Sequence, residues 1–296
     1  MLSLETKQID TAFVLGSGGN RGVLQAGALF TLMQHDIIPQ LIVGTSVGSL
    51  NALQIASDPT VKGAEELIDI WHGVRKEMFR RAGFFAIGRR LLKNSNSLTG
   101  NERLQAYVAQ NMPPGRKTFA DFPVQLRTIA ANLSTGQMHV FGDDPAETVF
   151  DAVMASISIP IYMPPWEYRG AQYVDGGVVS ALPVMTALKH KPKKVYIIDI
   201  SSMPGTKQTR FRGMIDIVNR IIDIQIQHQV RYELETMALQ KVQVVYHIGL
   251  NTFTKTPLWD MAHVEEMISS GQEIMAEFLN RKHPDGYVKY NTLQSE

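Results

Sequence analysis

Residues 11–56 read TAFVLGSGGNRGVLQAGALFTLMQHDIIPQLIVGTSVGSLNALQIA. Thr11 to Leu15 is a short apolar run, followed by a glycine-rich turn from Gly16 to Gly22 and a helical pattern from Val23 to Gln34. The same order then returns: Leu41 to Val43, a tight turn at Gly44 to Gly48, and a helix from about Ser49 to Ala56. Strand, glycine turn and helix, repeated at once, require parallel strands joined by crossover helices. The expected fold class is α/β with a central, mostly parallel sheet.

Further along, Lys62 to Gln110 is mostly helical in pattern, interrupted by Gly83, Gly88 and Gly100. Val124 to Asn132 and Gln137 to Phe141 flank Ser134-Thr135-Gly136 and read as a hairpin. A helix from Pro145 to Ser156 precedes a proline-rich loop, Pro160 to Pro165, and a strand from Ala171 leads into Asp175-Gly176-Gly177. Val195 to Ile200 reads as a buried strand, Phe211 to Gln240 as a helix, Val242 to Ile248 as a strand and His263 to Asn280 as a last helix. The tail after Pro284 reads as loose.

With 296 residues, 44% of them hydrophobic, the chain can bury a sizeable core. Its net charge of +1 gives no global attraction to nucleic acid, so no nucleic-acid partner is expected. Cysteine is absent, which excludes disulfides, thiolate metal sites and a cysteine nucleophile. That absence fits a reducing cytoplasm, the expected location. The N-terminal residues carry Glu5 and no long apolar stretch, so no secretory signal is expected. No apolar run reaches the roughly 18 residues of a membrane span, so any bilayer is met from the side.

Gly44-Thr45-Ser46-Val47-Gly48 fits G-x-S-x-G. A strand that reverses sharply into a helix holds the serine at the apex, and the flanking glycines remove side chains that would collide. The helix N-terminus below favours developing negative charge. The same five residues also suit an ordinary strand-to-helix turn.

The loop Gly16-Ser17-Gly18-Gly19-Asn20-Arg21-Gly22 invites a phosphate-binding reading, but the details oppose it. A Walker loop ends in Gly-Lys-Ser/Thr, and this one ends in Asn-Arg-Gly. The dinucleotide pattern fails at its third glycine, and no acid ends the second strand. Adjacent glycines instead let bare backbone N–H groups converge on one point, as an oxyanion hole requires. Arg21 either steadies this loop, meets a phosphate head group or forms a structural ion pair.

A serine nucleophile needs a base. Of the eight histidines, His35, His72, His139, His190, His228, His247, His263 and His283, only His247 sits at a strand end where a triad imidazole would. Asp175-Gly176-Gly177 offers a carboxylate at a sheet edge instead, with glycines that let the chain leave without crowding it. A partly desolvated carboxylate close to the hydroxyl can serve as base because its pKa rises. In isolation the triplet is also a plain β-turn.

Taken in order, Gly16 to Gly22, Gly44 to Gly48 and Asp175 to Gly177 resemble the patatin-like phospholipases. That family carries a glycine-rich loop with a basic residue, then G-x-S-x-G, then D-G-G/A. Ala155 to Pro160 and Pro164-Pro165 are similar to its segment before the aspartate strand. The resemblance covers about residues 10–200. It implies a three-layer α/β/α fold and a serine carboxylic ester hydrolase, with Ser46 as nucleophile, Asp175 as base and no cofactor or metal. By position, Gly18 and Gly19 supply the oxyanion amides, with Ser17 in the same hole and Arg21, Gly44 and Gly48 in support. Ser17 stands where many members have the first of three glycines, and Gly16 replaces their aspartate. One domain over residues 1–296 is expected, with a motif-bearing core at 10–200, a helical insertion or cap at 62–118 and a completing segment at 205–296.

The resemblance implies fatty acyl esters of phospholipids, lysophospholipids or neutral lipids as substrates, with peripheral membrane contact. Phe79 to Lys93 mixes cations with large apolar residues. It reads either as a membrane-facing cap or, more simply, as a surface helix pair. Two rivals stand beside the Ser46–Asp175 dyad: an α/β-hydrolase triad of Ser46, Asp199 and His247, and a non-catalytic lipid- or nucleotide-binding module built on the glycine loop.

Overall fold

The structure is a computed structural model and describes residues 8–74, 96–97, 99–201, 210–240, 244–253 and 260–291. The segment Phe79 to Lys93 lies outside the described residues.

Nine strands among them form one sheet. Strand β1 (Thr11–Leu15) pairs in parallel with β2 (Leu41–Thr45) on one side and β7 (Lys194–Asp199) on the other. Beyond β2 comes β3 (Gln125–Asn132), and beyond β7 come β8 (Val244–Gly249) and β9 (Gly286–Asn291), all parallel. Antiparallel pairs complete the β3 side: β4 (Met138–Phe141) on β3, β6 (Ala171–Asp175) on β3, and β5 (Trp166–Tyr168) on β6.

The sheet is covered on both faces. Phe13, Leu15, Ile42, Tyr196 and Ile198 belong to one buried cluster, shared with helices α1 (Gly22–Gln34), α2 (Val47–Ser57), α3 (Val61–Gly73), α4 (Glu102–Gln110), α5 (Val149–Ser156) and α8 (Val264–Leu279). Their sequence neighbours Ala12, Val14, Leu41, Val43, Val195 and Ile197 face the other way. There they meet α6 (Val184–Leu188) and the C-terminal half of α7 (Met214–Ala238). Strands buried on both faces have no polar positions to alternate, which is why they read as continuous apolar runs. The result is a three-layer α/β/α arrangement.

Two elements differ from the sequence expectation. Part of the tail after Pro284, expected to be loose, is a strand: Gly286–Asn291 adds β9 to the sheet edge. Tyr290 anchors it, with its ring 5.7 Å from that of Phe278. A short hairpin of β5 and β6 also follows the proline-rich loop. Arg169 and Gly170, with φ of 46° and 77°, form its two-residue turn of the left-handed kind that suits strand twist.

The chain leaves β1 toward β2 and later returns to the opposite side of β1 as β7. Such a switch point opens a crevice at the C-terminal ends of the strands. The loops after β1 and β2 converge there, with Ile200, just after β7, against Gly18.

Candidate active site

Register explains how Ser46 and Asp175, 129 positions apart, come together. Thr128, Ile129 and Ala130 pair with β4 on one edge of β3. Thr128 and Ile129 also pair with β2, and Ala130 with β6. These second partners must therefore occupy the other edge. Along it β2 runs toward Thr45, opposite Ile129, while β6 runs the opposite way and ends at Asp175, opposite Ala130. The two strands meet nearly head-on. The next residue after β2 is Ser46, whose hydroxyl donates to Asp175 Oδ2 at 2.5 Å.

Ser46 has φ of 55°, an unfavourable conformation for a residue with a side chain. The turn is held from several sides. The Ser46 N–H donates to Ser156 Oγ at 2.8 Å, and the Ser49 hydroxyl donates to Ser46 O at 2.6 Å. Thr45 Oγ1 donates to Ser180 O at 2.9 Å. The glycines have a steric reason. A Cβ on Gly44 would lie 2.4 Å from Gly48 O, and one on Gly48 would lie 2.3 Å from Leu15 O.

Asp175 is buried. Its Oδ1 accepts the Gly177 N–H at 2.7 Å, which leaves Oδ2 for Ser46. Burial raises its pKa to about 6, against the opposing bonds from the Ser46 hydroxyl and the Gly177 N–H. The carboxylate is thus a stronger base than an exposed one and is still ionised at neutral pH.

The glycine loop lies alongside, but its three expected donors are not equivalent. The Ser17 N–H donates to Ala181 O at 2.8 Å, so that amide is occupied and Ser17 is withdrawn from the donor set. No carbonyl among the described residues takes the Gly18 or Gly19 N–H. Arg21 is buried, and its Nε donates to Gly18 O at 3.4 Å. Burial lowers its pKa, while the nearby carboxylates of Asp199 and Asp223 act in the opposite direction. The side chain is in place to steady the loop.

Sequence reasoning missed the residues that hold this loop from beneath. Buried Gln25 Nε2 donates to Gly16 O and Ile198 O, at 3.0 and 3.1 Å. Asn51 Nδ2 donates to Gln25 Oε1 and to Gly22 O, and Trp71 Nε1 donates to Asn51 Oδ1 at 2.9 Å. Ser156 was equally hidden. Its hydroxyl donates to Ile129 O at 2.6 Å and fills the gap where β2 and β6 meet. The only sequence signal for these residues was polarity at positions of α1, α2 and α5 that otherwise bury apolar side chains.

Asp199 and His247 do come together, away from Ser46. His247 Nε2 lies 2.9 Å from Asp199 Oδ2, and Nδ1 lies 3.0 Å from the Tyr287 hydroxyl. Both ring nitrogens are engaged, while Ser46 is bonded to Asp175. Burial works against the Asp199 charge, yet the bonds from His247 and Ser201 hold its pKa down at about 2.

A cavity of about 110 Å³ opens beside Ser46. Its walls are mainly apolar and include Val47, Leu67, Trp71, Leu104, Val108 and Met163. Among the described residues, no three His, Asp or Glu side chains gather as a metal site would need. No described helix is long and apolar enough to cross a membrane.

The family profile of patatin-like phospholipases matches residues 13–188, more than half of the chain. This chain belongs to the patatin-like phospholipase family. It is 24% identical over 294 residues to lysophospholipase NTE1 of Eremothecium gossypii, covering 92% of this chain and 18% of that protein. It is 29% identical over 214 residues to the uncharacterized protein YqhO of Bacillus subtilis, covering 66% of this chain and 72% of that one. The patatin-family chain thus spans under a fifth of the E. gossypii lysophospholipase. Among solved structures it is similar to VipD from Legionella pneumophila, with a TM-score of 0.42 and 12% identity over 91% of this chain and 67% of VipD.

Proposed function

We propose that the protein is a serine-dependent lipid acyl hydrolase working through a Ser46–Asp175 dyad. The observation that carries this reading is the 2.5 Å bond from the Ser46 hydroxyl to a buried carboxylate whose pKa is about 6. Asp175 takes the Ser46 proton as Ser46 Oγ bonds to the ester carbonyl carbon. The Gly18 and Gly19 N–H groups stabilise the oxyanion, an effect worth several kcal/mol in a water-poor site. When the C–O bond to the leaving alcohol breaks, Asp175 returns the proton to that alcohol. Water then attacks the acyl-enzyme, Asp175 again relays the proton, and Ser46 and a fatty acid are released.

The apolar cavity beside Ser46 suits an acyl chain, with each buried methylene worth about 0.8 kcal/mol. Lysophospholipids are the first substrates to try, given the names of several relatives. The test is hydrolysis of an activated fatty acyl ester and of a lysophospholipid by wild type, Ser46→Ala and Asp175→Asn. Loss of roughly a thousandfold or more in kcat is expected in each variant. Wild-type rates in Ser46→Ala would refute the proposal, and a serine-reactive phosphonate that fails to label Ser46 would favour a binding module.

A further inference from the structure

Helix α7 is much longer than the sheet it covers. Its 25 residues span about 37 Å, whereas the six residues of β7 span about 20 Å. Its C-terminal half packs on the sheet through Val230, Leu234 and Met237. Its N-terminal half reaches the edge that carries Ser46. There Asn219 Nδ2 donates to the Tyr162 hydroxyl at 2.7 Å, and Gln225 Nε2 donates to Val178 O at 2.9 Å. Val178 closes the turn that starts at Asp175. Tyr162 belongs to the loop whose Ile159 and Met163 line the apolar cavity.

The outer face of this overhang is apolar. Met214, Ile217, Ile221 and Ile224 are 80, 46, 55 and 41% exposed. Their spacing of three, four and three places them on one stripe. The stripe continues through His228, Arg231 and Tyr232 to the exposed Glu235, and between Ile217 and Tyr232 no exposed residue of the helix is acidic. Ile161, exposed on the neighbouring loop, adds to the same edge. Helix faces left in water ordinarily carry charges of both signs, and a continuous apolar face marks an interaction site.

The composition selects the partner. Isoleucines can enter the acyl region of a bilayer, Tyr232 suits its polar boundary, and Arg231 and His228 match anionic head groups. A second copy fits less well. A self-paired helix would put His228 and Arg231 at core positions where coiled coils require aliphatic side chains. We propose that this face of α7 docks the protein on an anionic lipid surface and so holds the mouth of the cavity against the bilayer. The inference rests on the acyl hydrolase reading for its purpose, but not for its test.

Co-sedimentation with vesicles of phosphatidylcholine plus phosphatidylserine, and of phosphatidylcholine alone, tests it. Wild type should pellet with the anionic vesicles, and Ile221→Glu/Ile224→Glu should bind at least about tenfold more weakly. Arg231→Glu should narrow the difference between the two vesicle types. All variants should hydrolyse a water-soluble short-chain ester as wild type does, which shows that they are folded. Wild type left in the supernatant, or a double variant that binds like wild type, would overturn the proposal. So would a wild-type dimer in light scattering that the double variant dissolves without any vesicle binding, since the face would then join two copies. A wild type that pellets yet cleaves no ester would sink the hydrolase reading and leave the docking surface standing.

Discussion

The Ser156 hydroxyl accepts the Ser46 N–H at 2.8 Å and donates to Ile129 O at 2.6 Å. One side chain thereby completes the edge of β3 where β2 has ended and β6 has not begun. It also fixes the backbone of a residue held at an unfavourable φ. Ser156→Ala leaves a buried N–H and a buried carbonyl without this partner, at a cost of about 1–3 kcal/mol for each unsatisfied group. The expected outcome is a lower melting temperature and a kcat reduced by tenfold or more, with KM little changed. Steady-state kinetics and thermal melts check it, and an unchanged kcat would remove Ser156 from the positioning of the nucleophile.

Asp175 makes opposite predictions for rate and stability. As a base it must be ionised, so kcat/KM for an uncharged ester should rise with pH through about 6 and then level off. The folded protein also holds this proton more tightly than the unfolded chain does. Stability is therefore lost as pH rises from the ordinary carboxylate range through about 6, by about 3 kcal/mol in total. Asparagine cannot ionise and can keep bonds to Gly177 and Ser46. Asp175→Asn should thus be inactive yet melt higher than wild type at pH 8, with the gap narrowing as pH falls toward 5. A gap that does not depend on pH would show that folding does not raise this pKa.

Much of the architecture is legible because the strands are buried on both faces. Val14 and Val43 sit in runs that cannot be mistaken for surface, and the glycines after them announce sharp turns. What sequence cannot carry is register. Nothing in the segment from Ala171 to Asp175 reveals that it runs against β3 and stops opposite Ala130, one place beyond the partner of Thr45. Ser17 illustrates the same limit on a smaller scale. Its amide resembles a third donor until Ala181, far along the chain, takes it. Strand β9 was hidden by its mixed composition, in which Tyr287 and Lys289 are exposed on an edge and Tyr290 is buried. Gln25 and Asn51 are ordinary helix residues by type, and only their convergence beneath the glycine loop gives them a role.

His247 separates the dyad from a triad. With Nε2 on Asp199 and Nδ1 on Tyr287, it has no part in the proposed proton transfer. Its removal would still matter to folding, because it leaves the Asp199 charge buried without its imidazole, at about 3–5 kcal/mol. His247→Ala should lower the melting temperature by on the order of 10 °C. At a temperature where circular dichroism shows it folded, its kcat/KM should stay within a few-fold of wild type. His247→Gln, which can keep a bond to Asp199, should recover part of the stability. Complete inactivity in a folded His247→Ala protein would reinstate the triad.

The cavity predicts which acyl chains are preferred. Helices α3 and α4 form its wall through Leu67, Trp71, Leu104 and Val108, so a larger side chain there shortens the space without touching Ser46 or Asp175. Val108→Phe should displace two or three methylenes of a long chain, worth about 0.8 kcal/mol each, and so reduce kcat/KM for a long-chain ester by tens-fold. A short butyryl ester should be cleaved at the wild-type rate, which makes it the internal control for folding. Leu104→Ala should act in reverse, raising the ratio of long-chain to short-chain rates despite a lower melting temperature. If Val108→Phe slowed both esters equally, the loss would come from a distorted fold, and the acyl chain would have to lie elsewhere.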